Sequence, residues 1–425
     1  MTLSNPSQKR GPVFYGWYVV AVAFVCNFMT TGTHFYLFNA FLEPLCNVRG
    51  FTRAQVNLGL TAGGVAGLLF QFVHGAVVMR IGPRRYMAVG ALCSGAVFAL
   101  LGRLTSLTAF VWLYVALWIT NGAFCGIVAN TAVNNWFVKK KGTALGLAQV
   151  GISLSGVILP PLGLWLVVKG GLANAYLVIG IMVAALSPLC LLVVRDSPES
   201  VGLTPDGLPP EPRVLEVSVN PAPASAKGGG SEPLWPVSQA VRTPAFWIVG
   251  IAYALAMAGV VGIMSQLAPR FMDMGFSKKT AMSLMGLTAL LGAAAKYLWG
   301  MLCDRFEPRK VVAVLMGMCA LGLFFGLLGS GLWFVIAFVL FYGFSMGGVL
   351  ATMPILVAWL FGRLSFTNIS RYLAFFMVLQ NTGFAVMGLS FSWTGSYNAA
   401  FAVFTAAYAI AGILLLRLRR PDPPA

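Results

Sequence analysis

The residues able to do chemistry are few. Lys296 stands in the run LLGAAAKYLWG, with Gly292 and Gly300 one helical turn away on either side. An ammonium deep in an apolar run is costly, and holding an anion is the functional way to offset that cost. The plainer reading pairs Lys296 with a neighbouring helix, yet no acid lies inside an apolar run to receive it. Glu43, Asp273, Asp304 and Glu307 lie at the ends of runs, Asp422 lies in the tail, and the remaining acids fall between Asp196 and Glu232. His34, in TTGTHFYLF, shares a helical face with Asn27, Thr30 and Thr31. It could bind substrate, titrate near neutral pH, or hydrogen-bond between helices. His74, one residue before Gly75, reads as packing. Asn121, Tyr342, Ser345, Gln380 and Asn381 are weaker polar candidates for a cavity lining, set against ordinary interhelical hydrogen bonding.

The elements that must position these groups are membrane helices. The 425 residues are 59% hydrophobic and 9% charged, with a mean hydropathy of +0.84. A soluble domain has about 45–50% and about 25%. This excludes an ordinary soluble enzyme and a disordered chain. Apolar helices are expected at 16–43, 54–79, 86–106, 108–137, 142–168 and 172–194. Six more are expected at 244–271, 279–303, 309–329, 331–361, 366–391 and 398–416. The first run reads as a retained span and not a signal peptide. Residues 195–243 differ in composition, with nine Pro from Pro198 to Pro236 and the triplet Gly228 to Gly230. They read as a solvated linker between a half at 1–194 and a half at 244–425.

The net charge is +17. Twenty Lys and Arg collect on one side of the spans, among them Arg80, Arg84, Arg85, Lys139 to Lys141, Arg305, Arg309, Arg363 and Arg371. Seven lie on the other side: Arg49, Arg53, Arg103, Lys169, Arg270, Lys278 and Lys279. The rich side reads as cytoplasmic, with both termini and the linker inside. The basic residues therefore report topology, and no nucleic acid is implied. The seven Cys form no CxxC pair, so no disulfide framework or metal site is indicated. No cofactor is expected. A membrane enzyme is disfavoured because no His has an acid four residues on, and a primary pump because no P-loop is present.

The halves repeat. A shift of 225 residues lays Gly75, Arg80, Pro83, Arg84 and Arg85 on Gly300, Arg305, Pro308, Arg309 and Lys310. It also lays Gly50-Phe51-Thr52-Arg53 on Gly275-Phe276-Ser277-Lys278, and Gly67 on Gly292. Parallel six-helix halves with a site between them are one transporter design.

The segments GAVVMRIGPRR and GMLCDRFEPRK resemble the loop motif of the major facilitator superfamily. The resemblance implies a twelve-helix, all-α fold and a gate built on Gly75, Arg80, Arg84, Gly300, Asp304, Arg305 and Arg309, with Asp and Arg paired. Met79 stands where the first copy usually has its acid. NWFVKKKGTALGLAQVG, FGRLSFTNISRYLAFF, TGSYNAAF and Gly16-Trp17 are similar to segments of monocarboxylate transporters and oxalate–formate antiporters. Departures are Ala173-Asn174 in place of Trp-Arg, Gly292 in place of an Asp, and Phe35 near the place of a first-helix Lys. The second cation of the oxalate exchangers is also missing deep in the eleventh helix, where Leu379-Gln380-Asn381 stands.

In that group an Arg four residues before the motif Gly binds the substrate carboxylate, and Lys296 holds this position. The resemblance places His34 in the cavity as well, and Phe35 is expected to add aromatic lining. The implied activity is secondary transport of small monocarboxylates, lactate- or pyruvate-like, coupled to protons through Lys296 and His34. The alternative is organic-anion exchange without protons. Substrate, protons and the lipid bilayer are the expected partners, with a monomer in the plasma (inner) membrane.

Overall fold

An apolar run crossing a bilayer satisfies its backbone polar groups only as a helix or in a closed barrel. The computed structural model describes residues 14–51, 53–207, 234–329 and 331–422, and these contain helices and no strand. Ten stretches are long and apolar enough to cross a membrane. Two of them are double. The stretch Lys141–Val193 turns at Gly171 and the stretch Leu332–Thr394 turns at Gly362, both at φ 80° with ψ near 170°. Only glycine adopts that backbone readily. Twelve spans result among the described residues. The linker from Pro209 to Pro233, with Gly228 to Gly230, lies outside them, as do Lys9, Arg10, Arg213 and Lys227.

Starts and stops follow local chemistry. Thr243 accepts from the Phe246 amide ahead of the seventh span, Pro244–Asp273, and Ser277 accepts from the Thr280 amide ahead of the eighth, Lys278–Arg305. Pro83 and Pro308 open the third and ninth spans.

Three expected continuous helices are interrupted. The first passes through a π turn at Gly32–Tyr36, which carries His34. The fourth is two helices, Leu107–Gly122 and Ile127–Trp136, separated where Gly126 takes φ 52°. The eleventh tightens to a 3-10 helix at Ala374–Asn381. No Gly or Pro stands in that tight stretch. Just beyond it, Gly383 lies directly on Ala258 and Gly262 of the seventh span.

In lipid, association relies on close packing of small residues and on interhelical hydrogen bonds. Gly95 meets Gly180 between the third and sixth spans, and Gly292 meets Gly347 between the eighth and tenth. Large apolar residues such as Trp112, Val168, Trp333 and Trp393 stay exposed, as a lipid-facing surface requires. Among the described residues, the side-chain contacts between the two sets of six spans gather toward one end, where Arg84, Lys139, Arg305 and Arg309 also lie. It is called the basic end below. The fifth span packs on the eighth, the fourth on the tenth and eleventh, and the second on the eleventh.

Candidate substrate site and gate

Lys296 is 5% exposed. Its Nζ donates to Ser153 Oγ at 2.8 Å and to the Gln149 carbonyl at 3.4 Å, both on the fifth span. Among the described residues no carboxylate forms an ion pair with it. An ammonium has three hydrogens, so one remains for a ligand. Both protein partners are neutral, and the charge is left uncompensated by the fold. Lys296 thus joins the two sets of spans, and helix proximity comes from glycine: the Gly146 Cα faces the Lys296 carbonyl, and Gly142 meets Gly300 backbone to backbone.

Ser153 and Gln149 were not foreseen as partners. Gly142, Gly146, Gln149 and Ser153 recur at intervals of three and four, so they form one face, and that periodicity was available in the sequence. The face continues as a polar line. Gln149 Nε2 donates to Asn130 Oδ1 at 3.3 Å, and Asn27 Nδ2 donates to the Ala148 carbonyl at 3.0 Å. Gln149 Oε1 is buried without a partner among the described residues.

The other candidates are dispersed. His34 Nδ1 lies 2.6 Å from the Thr30 carbonyl and 3.4 Å from Asn121 Nδ2, and its ring centroid is 4.2 Å from that of Trp118. Tyr114 donates to the His34 carbonyl. His34 therefore faces the fourth span, and no hydrogen bond joins it to Lys296. Phe35 is 45% exposed and meets Tyr36 edge-on at 5.3 Å.

Asn121 is buried among the first, third and fourth spans, accepting from Ser94 Oγ at 2.6 Å. Tyr342 is buried among later spans, stacked on Phe338 with its hydroxyl toward the Gly259 carbonyl. Ser345 bonds to the Phe341 carbonyl of its own helix. The structure thus gives these three interhelical or intrahelical hydrogen bonds. Gln380 is half-buried and Asn381 exposed, both within the 3-10 stretch.

At the basic end the expected Asp–Arg pair does not form. Asp304 instead accepts from the Gly142 and Thr143 amides and from Thr143 Oγ1, each at 2.6 Å. The eighth span's acid therefore caps the fifth span's N-terminus, where a negative charge is favourable. Arg309 pairs with Glu307 at 2.5 Å and donates to the Leu418 carbonyl, while Arg84 donates to the Leu191 carbonyl. Arg80 and Arg305 are exposed. Arg363 donates to the Asn135 carbonyl and to Glu199, and Thr131 meets Thr367 at 2.7 Å. The two sets of spans are in contact at this end. Beside it a cavity of about 570 Å³ is lined by Lys139, Lys141, Asp304, Glu307, Trp359 and Arg420, among others. It does not reach Lys296.

A family model described as Major Facilitator Superfamily matches residues 13–358 and 250–425. The chain belongs to the Major Facilitator Superfamily. Among similar relatives of this superfamily member, the oxalate:formate antiporter of Oxalobacter formigenes is 23% identical over 99% of this chain and 96% of its own length. The glycerol-3-phosphate transporter of Bacillus subtilis is 29% identical, over 39% of this chain and 38% of its own. Among solved structures, the E. coli fucose:proton symporter FucP in its outward conformation aligns with a TM-score of 0.69 at 16% identity. That alignment covers 95% of this chain and 99% of the other. The human organic anion transporter MFSD10 aligns with a TM-score of 0.66 at 15% identity, covering 94% and 99%. These structures share the fold, which is that of a multi-pass membrane transporter.

Proposed function

We propose that this superfamily member is a secondary transporter of small monocarboxylates, carried with protons by alternating access, and that Lys296 holds the carboxylate. The observation that carries the reading is the buried ammonium with two neutral partners and, among the described residues, one unused hydrogen and no acid. One charge suits one carboxylate, and a second carboxylate would be left unpaired in a poor dielectric. An arriving anion favours the protonated amine, so anion and proton load together. Phe35 gives the site an apolar wall, and His34 serves as an auxiliary proton site. The excess of Lys and Arg supports a basic end facing the cytoplasm of a plasma (inner) membrane.

A liposome uptake panel of labelled mono- and dicarboxylates, with and without an inward pH gradient, tests this. Monocarboxylates should compete best and accumulate with the gradient. Uptake that ignores both the gradient and a protonophore would remove the proton coupling and leave Lys296 as the anchor of an exchanger.

The second reading is organic-anion exchange. It is favoured by the full-length similarity to the oxalate:formate antiporter and by Arg371 on the eleventh span. Equal or better competition by oxalate, lost in Arg371→Gln, would select it.

A further inference from the structure

Hydroxyls inside helices commonly turn back on their own backbone. Ser155, Thr288, Ser345 and Thr352 do so here, each donating to a carbonyl three or four residues earlier. Ser153 does not. Among the described residues its hydroxyl meets Lys296 alone, accepting an Nζ hydrogen at 2.8 Å. An ammonium has no lone pair to take a hydrogen in return, so the Ser153 hydrogen is uncommitted. Two unused hydrogens therefore sit side by side, one on Nζ and one on Oγ. Ser153 is half-buried and Lys296 is 5% exposed, so the pair is shielded from bulk water without being sealed.

The fifth span that presents Ser153 is held from two sides. Gly142 and Gly146 bring it onto the eighth span, backbone against backbone. Three residues past Ser153, an added Cβ at Gly156 would collide with the Tyr36 ring, so the first span backs the fifth there. The spacing of Oγ and Nζ is thus set by packing. A purely structural tie between the two spans needs only an acceptor for the ammonium. The Gln149 carbonyl already serves as one at 3.4 Å, and a second acceptor with a spare donor is more than a tie requires.

Resting on Lys296 as the carboxylate anchor, we propose that Ser153 is the second donor of that site, and that the pair takes a planar carboxylate by both of its oxygens. Nζ donates its third hydrogen to one oxygen, and Oγ donates its hydrogen to the other. Nζ keeps its bond to Oγ, so the three groups close a ring of hydrogen bonds in which each polarises the next. Bonds to an ionised acceptor are the stronger kind, and two donors on one carboxylate also fix its orientation. A neutral amide of the same shape offers one acceptor and one donor group, so it satisfies only one of the two hydrogens. The pair therefore selects carboxylate over amide by geometry as well as by charge. One donor comes from each set of spans, so a bound carboxylate draws the fifth and eighth spans together.

The test uses the full chain in detergent, with carboxyl-labelled lactate as the probe. Ser153→Ala should weaken lactate binding about tenfold, the loss of one hydrogen bond to a charged group. Ser153→Thr keeps the hydroxyl and should bind within about threefold of the parent. Thermal stability checks folding. Ser153→Cys, whose thiol is a weak donor, carries the test where the alanine variant does not fold. Infrared spectra of the bound label separate a donor from a prop. Once one oxygen loses its donor, the two C–O bonds become unequal, and the antisymmetric and symmetric carboxylate stretches should move apart in Ser153→Ala. Parent-like binding in Ser153→Ala would overturn the inference. So would weaker binding with unchanged stretches, which would make Ser153 a prop for Lys296. Lys296 stands as the anchor in both cases. Parent-like binding in Lys296→Ala would instead remove the anchor reading and this inference together.

Discussion

Two crossings join the two sets of spans toward the basic end, and they are built from matching positions of the repeat. Between the fifth and eighth spans, Lys296, Gly300 and Asp304 face Gly142, Gly146, Gln149 and Ser153. The same shift of 225 residues turns the first set into Gln71, Gly75 and Met79 of the second span. It turns the second set into Thr367, Arg371, Ala374 and Val378 of the eleventh. The glycine that permits close approach is kept in both copies. The cation has changed sides, and the capping acid exists in one copy alone.

Arg371 rests 4.7 Å above the Phe72 ring and 4.9 Å from Tyr372, and Phe72 packs edge-on to Tyr372. One crossing is thus a polar latch with an ammonium held by neutral groups. The other is an aromatic hinge on which an arginine lies. The outer ends, by contrast, match in kind. Arg49 donates to the Gly102 carbonyl and Arg270 to the Gly326 carbonyl, each tying a span end to the third span of its own set. Structural ties are repeated, whereas the contacts between the sets have diverged.

The sharpest way to break this comparison is to remove the two matched side chains in turn. Lys296→Ala should weaken carboxylate binding about 100-fold, or about 2.7 kcal/mol, whereas Gln71→Ala should change it by less than about twofold. Equilibrium binding in detergent reads both, with thermal stability as the check on folding. Lys296→Arg should retain binding. Similar losses at the two positions would mean that the crossings are equivalent and that Lys296 is no anchor.

Next in size is the latch. Asp304→Ala removes three accepted hydrogen bonds and a helix cap, while Met79→Ala removes none of these. The cap alone is worth about 1 kcal/mol. The basic end should open more often, and buried Cys303, which lines the cavity beside the gate, should alkylate about 5- to 30-fold faster. Peptide-resolved mass spectrometry separates it from the other thiols. An unchanged Cys303 rate in Asp304→Ala would deny the latch.

Much of this fold was legible, for identifiable reasons. Apolar runs bounded by Gly50, Gly82-Pro83, Gly171, Gly275, Glu307-Pro308 and Gly395 gave the spans, because those residues end helices by their own backbone preferences. The break before Ile127 and the tight turns at Ala374–Asn381 were not legible. Apolar sequence there supports any helical form, and neighbouring spans decide between them.

The depth of Lys296 could be read from its run. Its bond to Ser153 could not, because a small hydroxyl in a membrane helix looks the same whichever way it faces. That His34 and His74 both pack against the fourth span depends on which spans adjoin it, which no local pattern encodes. Asn121 and Tyr342 drew notice by polarity and proved to have hydrogen bonds inside their own sets of spans. Asp304 drew notice as an acid in the loop motif, but its partner was not legible: the fifth span's amides are invisible in a list of side chains.

A smaller effect is expected on the hinge side. Phe72→Leu keeps apolar volume but removes the ring beneath Arg371 and beside Tyr372 and Phe375. The loss should be about 1 kcal/mol, read as a lower melting temperature, with substrate affinity kept. A large loss of affinity instead would place Arg371 in the substrate site and sharpen the case for exchange of dianions.

The smallest effect belongs to a tie that spans both crossings from outside. Glu199, just past the sixth span, meets Arg363 at 2.9 Å, and Arg363 also holds the Asn135 carbonyl of the fourth. Burial pushes the Glu199 carboxyl up, but its own backbone amide and the Arg363 guanidinium outweigh this and hold it below its ordinary value of 4.5. A carboxyl lowered in the fold stabilises above its unfolded value, and that contribution fades as pH falls through the folded value. Between pH 5.5 and 8 the tie is therefore constant, and only below about pH 4.5 should it weaken. The Glu199 side chain is 51% exposed, so solvent screening limits the contribution to about 0.5 kcal/mol. Glu199→Gln should lower the melting temperature slightly at pH 7, and the difference from the parent should vanish in acid. A constant difference down to pH 3 would show that Glu199 acts by packing and not by charge. The contact between the two sets of spans at this end would then rest on Asp304 and the Arg363 carbonyl bonds.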